Sequence, residues 1–271
     1  GMLSMLAACT EAVEIPARAP EKQSPVRVEL HLTTEQQAAT RAMDENCIRD
    51  VNLYLYGDTE YHFYFPSVSS PLVFNVLPGN YRSYAIANAG QDLGDKNAFK
   101  IQFYETAVDV MESSDAIPMT DRGTLAVDGA GRCTPSSLRV TRSAAKIAYT
   151  IEVADAVAPS LRLRSVQFCN LPLTIRPFDS GSISSTVEAN YYDGEAMPVG
   201  NERRTAGTAY LFENLQGSVD TITDQKDKCP ENAPACATYL RILAERSADK
   251  ALVEYIVYPG ENNTSDFNVR R

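Results

Sequence analysis

Residues 26–32 read Val-Arg-Val-Glu-Leu-His-Leu, four apolar residues alternating without a fault with three polar ones. A side-chain period of two marks a half-buried β-strand and is incompatible with a helix, whose faces repeat every 3.6 residues. The same period returns along the chain. Val51, Leu53 and Leu55 alternate with Asn52, Tyr54 and Tyr56, and Leu72, Phe74 and Val76 alternate with Val73 and Asn75. Pro78-Gly79-Asn80 then turns the chain into a strand over residues 81–87. After the turn Asp128-Gly129-Ala130-Gly131 and the stretch Pro135-Ser136-Ser137, Ile147, Tyr149, Ile151 and Val153 alternate with Lys146, Ala148, Thr150 and Glu152. Further strands are expected over residues 161–168, where the apolar phase flips near Ser165 as at a bulge, and over 208–212, 240–244 and 252–258. Within residues 98–111, Phe99, Phe103, Ala107 and Met111 fall on a roughly helical stripe, which predicts one short helix with that stripe in the core. Many short strands, frequent turns and few helices predict an all-β chain of two consecutive β-sandwiches, the second starting near Ala144.

Charge and residue usage narrow the function. With 25 Lys and Arg against 35 Asp and Glu, the net charge of −10 opposes a phosphate backbone, so no nucleic-acid partner is expected. Only two histidines, His31 and His62, are present, which leaves little room for zinc sites, Ser/His/Asp triads or histidine bases. Neither a nucleophile elbow nor a phosphate-binding or dinucleotide-binding glycine pattern occurs. The carboxylate pairs Asp220/Asp224 and Asp58/Glu60 sit in turn-like regions and read as solvated faces. Asp266 and the Asp128-Gly129 turn supply too few oxygens for calcium. His62 lies within the aromatic cluster Tyr61-His62-Phe63-Tyr64-Phe65, which reads as a strand with part of its rings buried. No catalytic residue, metal or cofactor is therefore expected, and the chain does not read as an enzyme.

Six cysteines are spread unevenly. Leu6-Ala7-Ala8-Cys9 resembles the lipobox of bacterial lipoproteins, in which the leader is removed ahead of the cysteine and the cysteine is acylated. Pro16, Pro20 and Pro25 follow among charged and small residues, as in an extended tether, so residues 1–25 read as signal remnant and linker. No run of about 20 apolar residues marks a transmembrane helix. Of the remaining cysteines, Cys229 and Cys236 flank a polar, Pro-containing loop in which a disulfide is geometrically easy and worth about 2.5 kcal/mol in loop entropy. The spacing does not fit a zinc knuckle. Cys169 ends an apolar strand and reads as a small buried hydrophobe, while the pairing of Cys47, Cys133 and Cys169 stays open.

Five segments then coincide, in order, with the landmarks of one family. They are residues 48–55 (Ile-Arg-Asp-Val-Asn-Leu-Tyr-Leu), 77–89 (Leu-Pro-Gly-Asn-Tyr-Arg-Ser-Tyr-Ala-Ile-Ala-Asn-Ala), 117–120 (Ile-Pro-Met-Thr), 142–147 (Arg-Ser-Ala-Ala-Lys-Ile) and 258–270 (Tyr-Pro-Gly-Glu-Asn-Asn-Thr-Ser-Asp-Phe-Asn-Val-Arg). In this pattern the sequence resembles the Bacteroidetes fimbrillins, the type V pilins. The resemblance implies two transthyretin-like β-sandwich domains, over residues 26–143 and 144–271. It also implies export as a lipoprotein through Cys9, an outer-membrane or fimbrial location on the cell surface, and other pilus subunits as partners. Polymerisation in this family follows removal of the first strand by an Arg- or Lys-specific protease. Here the strand bearing Val26, Val28, Leu30 and Leu32 is the candidate for removal, and the polar stretch after it contains Thr40-Arg41-Ala42, which makes Arg41–Ala42 the candidate scissile bond. Loss of a seven-residue strand, roughly 23 Å long, opens an apolar groove with unpaired backbone groups that a donor strand satisfies. Family members continue past the Asp-Phe-Asn-Val-Arg segment with further strands, whereas this sequence stops at Arg271. On the resemblance the second sandwich thus lacks its final strands, and the chain is either clipped or a terminal subunit such as an anchor or a tip. The rival reading is a non-polymerising surface lipoprotein, either a pilus anchor or a module that binds glycan or host protein.

Overall fold

The structure is a computed structural model that describes residues 23–34, 47–108, 116–179 and 181–271. The first half contributes β1 (Val26–Thr34), β2 (Val51–Tyr56), β3 (Glu60–Phe65), β4 (Leu72–Val76), β5 (Gly79–Ala87), α1 (Ala98–Gln102), β6 (Thr106–Ala107), β7 (Met119–Val127), β8 (Cys133–Thr134) and β9 (Ser137–Arg142). Seven of these strands run in the order β3-β2-β5-β7-β9-β1-β4, with β8 added against β7. The end strands β3 and β4 face one another through Phe63 and Phe74, whose rings lie 4.8 Å apart, so the sheet folds back over its own apolar face. Inside are Val28, Leu30, Val51, Leu53, Leu55 and Leu125, each with essentially no exposure. This is the sandwich-like closure that period-two alternation demands of strands with one wet face.

The second half contains β10 (Ala144–Glu152), β11 (Leu161–Cys169), β12 (Leu171–Pro172), β13 (Thr174–Ile175), β14 (Tyr191–Tyr192), β15 (Met197–Pro198), β16 (Arg204–Phe212), β17 (Tyr239–Arg246) and β18 (Leu252–Val257). A two-stranded ribbon, β10-β16, opposes a four-stranded sheet ordered β15-β11-β17-β18. Their shared core includes Val153, Leu163, Val166, Phe168, Leu211 and Ile242. The register of β11 on β17 shifts between Leu163 and Ser165, at the bulge that the phase flip announced. The fold class is all-β as expected, with a separate apolar cluster in each half.

The two halves meet on the outer face of the first sheet. The Phe178 ring packs edge-on against Tyr84 at 5.3 Å, and the Arg122 guanidinium donates to the Phe178 carbonyl at 2.7 Å. The short strands β6 and β13 pair across the same seam.

Two details depart from the sequence pattern. All six residues of β2 are buried, because the chain after β5 crosses its outer face: Asn52, Tyr54 and Tyr56 bond to backbone carbonyls of Gln91, Gly94 and Lys96. The helical stripe is also corrected. Helix α1 ends at Gln102, and Phe99 and Phe103 are exposed while Ile101 is the buried residue, since one and a half turns place a single side chain in the core. Ala107 belongs to β6, and Met111 lies outside the described residues.

Candidate functional site

The first strand is held in an unusual way. Residues 26–30 of β1 pair antiparallel with β4, Val28 opposite Phe74 and Leu30 opposite Leu72. From His31 onward the strand pairs parallel with β9 instead, His31 opposite Ser137 and Thr34 opposite Val140. Each half of β1 therefore has one hydrogen-bonded neighbour, and the strand bridges two edges. Its apolar face supplies much of the hold: Val28 and Leu30 are 0% exposed, and Val26 and Leu32 pack partly buried against the same cluster. Burial of a Val or Leu side chain contributes about 1.5–3 kcal/mol. On the wet face, Arg27 and Glu29 pair at 3.1 Å. Three side-chain contacts fasten the distal half. Thr33 Oγ1 donates to the Leu138 carbonyl at 3.2 Å, the Leu32 N–H donates to Ser70 Oγ at 3.4 Å, and His31 Nδ1 lies 3.5 Å from the same hydroxyl.

A turn caps the strand near its start. Asp128 accepts from the Ala130 and Arg132 N–H groups at 2.9 Å each and from Arg132 Nε at 2.7 Å, folding residues 128–132 tightly. Those bonds hold the Asp128 carboxyl below its ordinary pKa. Gly131, at φ +78°, lies against the backbone of Arg27. A groove with these features, apolar pockets at every second position between two strand edges, is built to hold an extended segment.

Of the other residues singled out from sequence, Cys9, Arg41 and Ala42 lie outside the described residues. The strand bearing Val26, Val28, Leu30 and Leu32 is seated as described. Cys229 and Cys236 are unjoined, since all five described cysteines are free thiols. The loop between them is instead closed by the Asn232 and Ala233 N–H groups, which donate to the Cys229 carbonyl at 3.1 and 3.0 Å. Cys169 is fully buried, and burial pushes its thiol up to about 11. His62 stacks on Tyr54 at 4.4 Å with Nε2 3.0 Å from Asn52 Oδ1. Burial holds its pKa below the ordinary value despite Asp92 and Asp95 nearby, so the ring is part of the packing.

The last landmark proves to be a polar hub that sequence reasoning did not anticipate. Asp266, buried, accepts from the Asn268 N–H at 3.0 Å, Asn268 Nδ2 at 2.9 Å and both Arg270 guanidinium nitrogens at 3.1 and 2.9 Å. Burial alone would raise its pKa, but the Arg270 and Asn268 donors outweigh it and hold the carboxyl well below the usual carboxylate range. Beside it Phe267 is buried, and Asn214 and Val269 form a backbone bridge that ties the end of the chain to the end of β16. The Asp-Phe-Asn-Val-Arg spelling was the available signal, with Asp and Arg placed four residues apart.

Comparisons with known proteins place this geometry. A family model described as a domain of unknown function (DUF4906) matches residues 209–271, the segment that holds the Asp266 hub. No curated protein matches the chain. Among solved structures, a fimbrilin of Porphyromonas gingivalis W83 is 13% identical, with a TM-score of 0.58 over 91% of this chain and 87% of that one. A candidate cell adhesion protein of Bacteroides eggerthii is 13% identical, with a TM-score of 0.57 over 86% of this chain and 79% of the other. One from Parabacteroides distasonis is 10% identical, with a TM-score of 0.56 over 86% and 82%. The chain has the fold of these proteins, and the resemblance to fimbrillins read from its landmarks holds at the level of the fold.

Proposed function

We propose that the chain is an exported structural subunit of a bacterial surface fimbria that joins its neighbour by strand exchange. In this reading Cys9 carries the lipid that tethers the precursor to the outer membrane, and an Arg-specific protease cuts at Arg41–Ala42. Strand β1 then leaves, and a donor strand from another subunit takes its seat. Residues 26–143 and 144–271 act as two sandwich domains, and no chemistry is performed.

The observation that carries the reading is the seat of β1. A strand bonded on one side along each half is released with about half the broken backbone bonds of a strand paired on both sides, and its departure opens the fully buried pockets of Val28 and Leu30 to water. A replacement with the same alternation recovers both the backbone bonds and the apolar burial.

The experiment is limited digestion of the full chain with an Arg-specific protease, followed by intact mass, size-exclusion chromatography and electron microscopy. Cutting at Arg41 with residues from Ala42 onward resistant, departure of β1 and growth of filaments is the expected result. Resistance at Arg41 with β1 locked in place overturns it and favours a non-polymerising anchor or binding protein.

A further inference from the structure

The seam between the two halves opens into a cleft of about 640 Å3, within the range of small-ligand sites. On its rim Arg176 forms an ion pair with Glu105 at 3.5 Å and approaches Asp179 at 3.9 Å. Arg271 lies 3.9 Å from Glu213 and donates at 2.8 Å to the carbonyl of Pro177, the residue after Arg176. Much of the remaining wall is polar and braced: Ser184 Oγ accepts from the Leu215 N–H at 2.8 Å, and Asn190 Nδ2 donates to Ser185 Oγ at 2.6 Å. Beside the Arg176–Glu105 pair stand two exposed rings. Phe99 is 69% and Phe103 44% exposed, 4.8 Å apart, with the Arg176 guanidinium 5.9 Å from the Phe103 ring.

From this arrangement we infer that the seam cleft and the Phe99–Phe103 platform bind a neutral oligosaccharide. Three carboxylates, Glu105, Asp179 and Glu213, against two guanidinium groups, Arg176 and Arg271, leave the lining slightly acidic, which disfavours a phosphate, sulfate or carboxylate ligand. A mostly polar wall disfavours an apolar one. No group of three or more metal-ligating side chains occurs among the described residues. A sugar hydroxyl accepts from a guanidinium and donates to a carboxylate in one contact, so ion pairs at the rim suit a polyhydroxyl chain. Exposed phenyl faces beside such pairs offer what the C–H face of a sugar ring packs against.

The site is independent of strand release, so the test uses the intact, uncut chain. It is applied to an array of immobilised neutral, sialylated and sulfated oligosaccharides. Retention of neutral members is expected, weakened at least tenfold by Phe99→Ala and by Arg176→Ala and unchanged by Tyr255→Ala on the edge strand β18, which does not line the cleft. Phe99 is exposed, so its replacement leaves the melting temperature in place, and Glu105→Gln provides a second, shape-conserving probe of the rim. Silence across the array overturns the inference. So does retention confined to sialylated or sulfated members, or neutral retention that none of the three rim changes alters.

Discussion

A Cβ built on Gly131 lies 2.0 Å from the carbonyl oxygen of Arg27, inside any permitted contact distance. The turn of residues 128–132 therefore presses directly on the backbone of the first strand, and only glycine fits there. At φ +78° a side chain is strained as well, a conformation that costs on the order of 2 kcal/mol outside glycine. Gly131→Ala is expected to lower the melting temperature and to speed loss of β1 after Arg-specific cutting, measured by calorimetry and timed mass spectrometry. Unchanged values for both would show that the turn does not hold the strand.

The hub at Asp266 makes stability depend on pH. Its folded-state pKa lies below the unfolded one, so the stabilisation is fully present above the ordinary carboxylate range and is lost as pH falls through and below that range. Asp266→Asn is expected to destabilise the chain at neutral pH and to shrink the loss of stability between about pH 5 and pH 2, read from denaturant titrations. An unaltered acid limb would place the titration elsewhere.

Phe178 couples the halves. Its ring is 4% exposed against Tyr84, and truncation of a buried Phe costs about 3–5 kcal/mol. Phe178→Ala is expected to split thermal unfolding into two calorimetric transitions. A single transition at the original temperature would mean that the seam contributes little.

Cys229 and Cys236 are thiols here, yet they flank a loop closed within a few residues. In an oxidising compartment outside the cytoplasm they are expected to join. Peptide mapping without reductant then yields one linked peptide, and reduction lowers stability by about 2.5 kcal/mol. Alkylation of both sulfurs in denaturant after oxidative export would contradict this.

The strands that were legible from sequence are those whose apolar residues recur at every second position, whichever faces they bury. Val28 and Leu30 alternate with Arg27 and Glu29, and the burial follows that pattern. In β7 the polar run from Thr120 to Thr124 hid a long strand, because Arg122 reaches across to the other half of the chain. Phe99 and Phe103 misled for the opposite reason: period and apolarity fit a core, but the helix is too short to bury them. The candidate site was legible only in its first strand. That β1 pairs antiparallel with β4 and parallel with β9 depends on strands that lie far away in sequence, which no local pattern encodes.

Strand exchange itself is tested most directly with a labelled synthetic peptide of the β1 sequence, Val26–Thr34, offered to the chain before and after Arg-specific cutting. The cut protein is expected to take up the peptide as β1 departs, the uncut protein to exclude it, and a Leu30→Asp peptide to bind at least tenfold more weakly, because that side chain enters a fully buried pocket. If the cut protein keeps its own strand, or takes up the Leu30→Asp peptide as readily as the native one, the groove is not a strand acceptor.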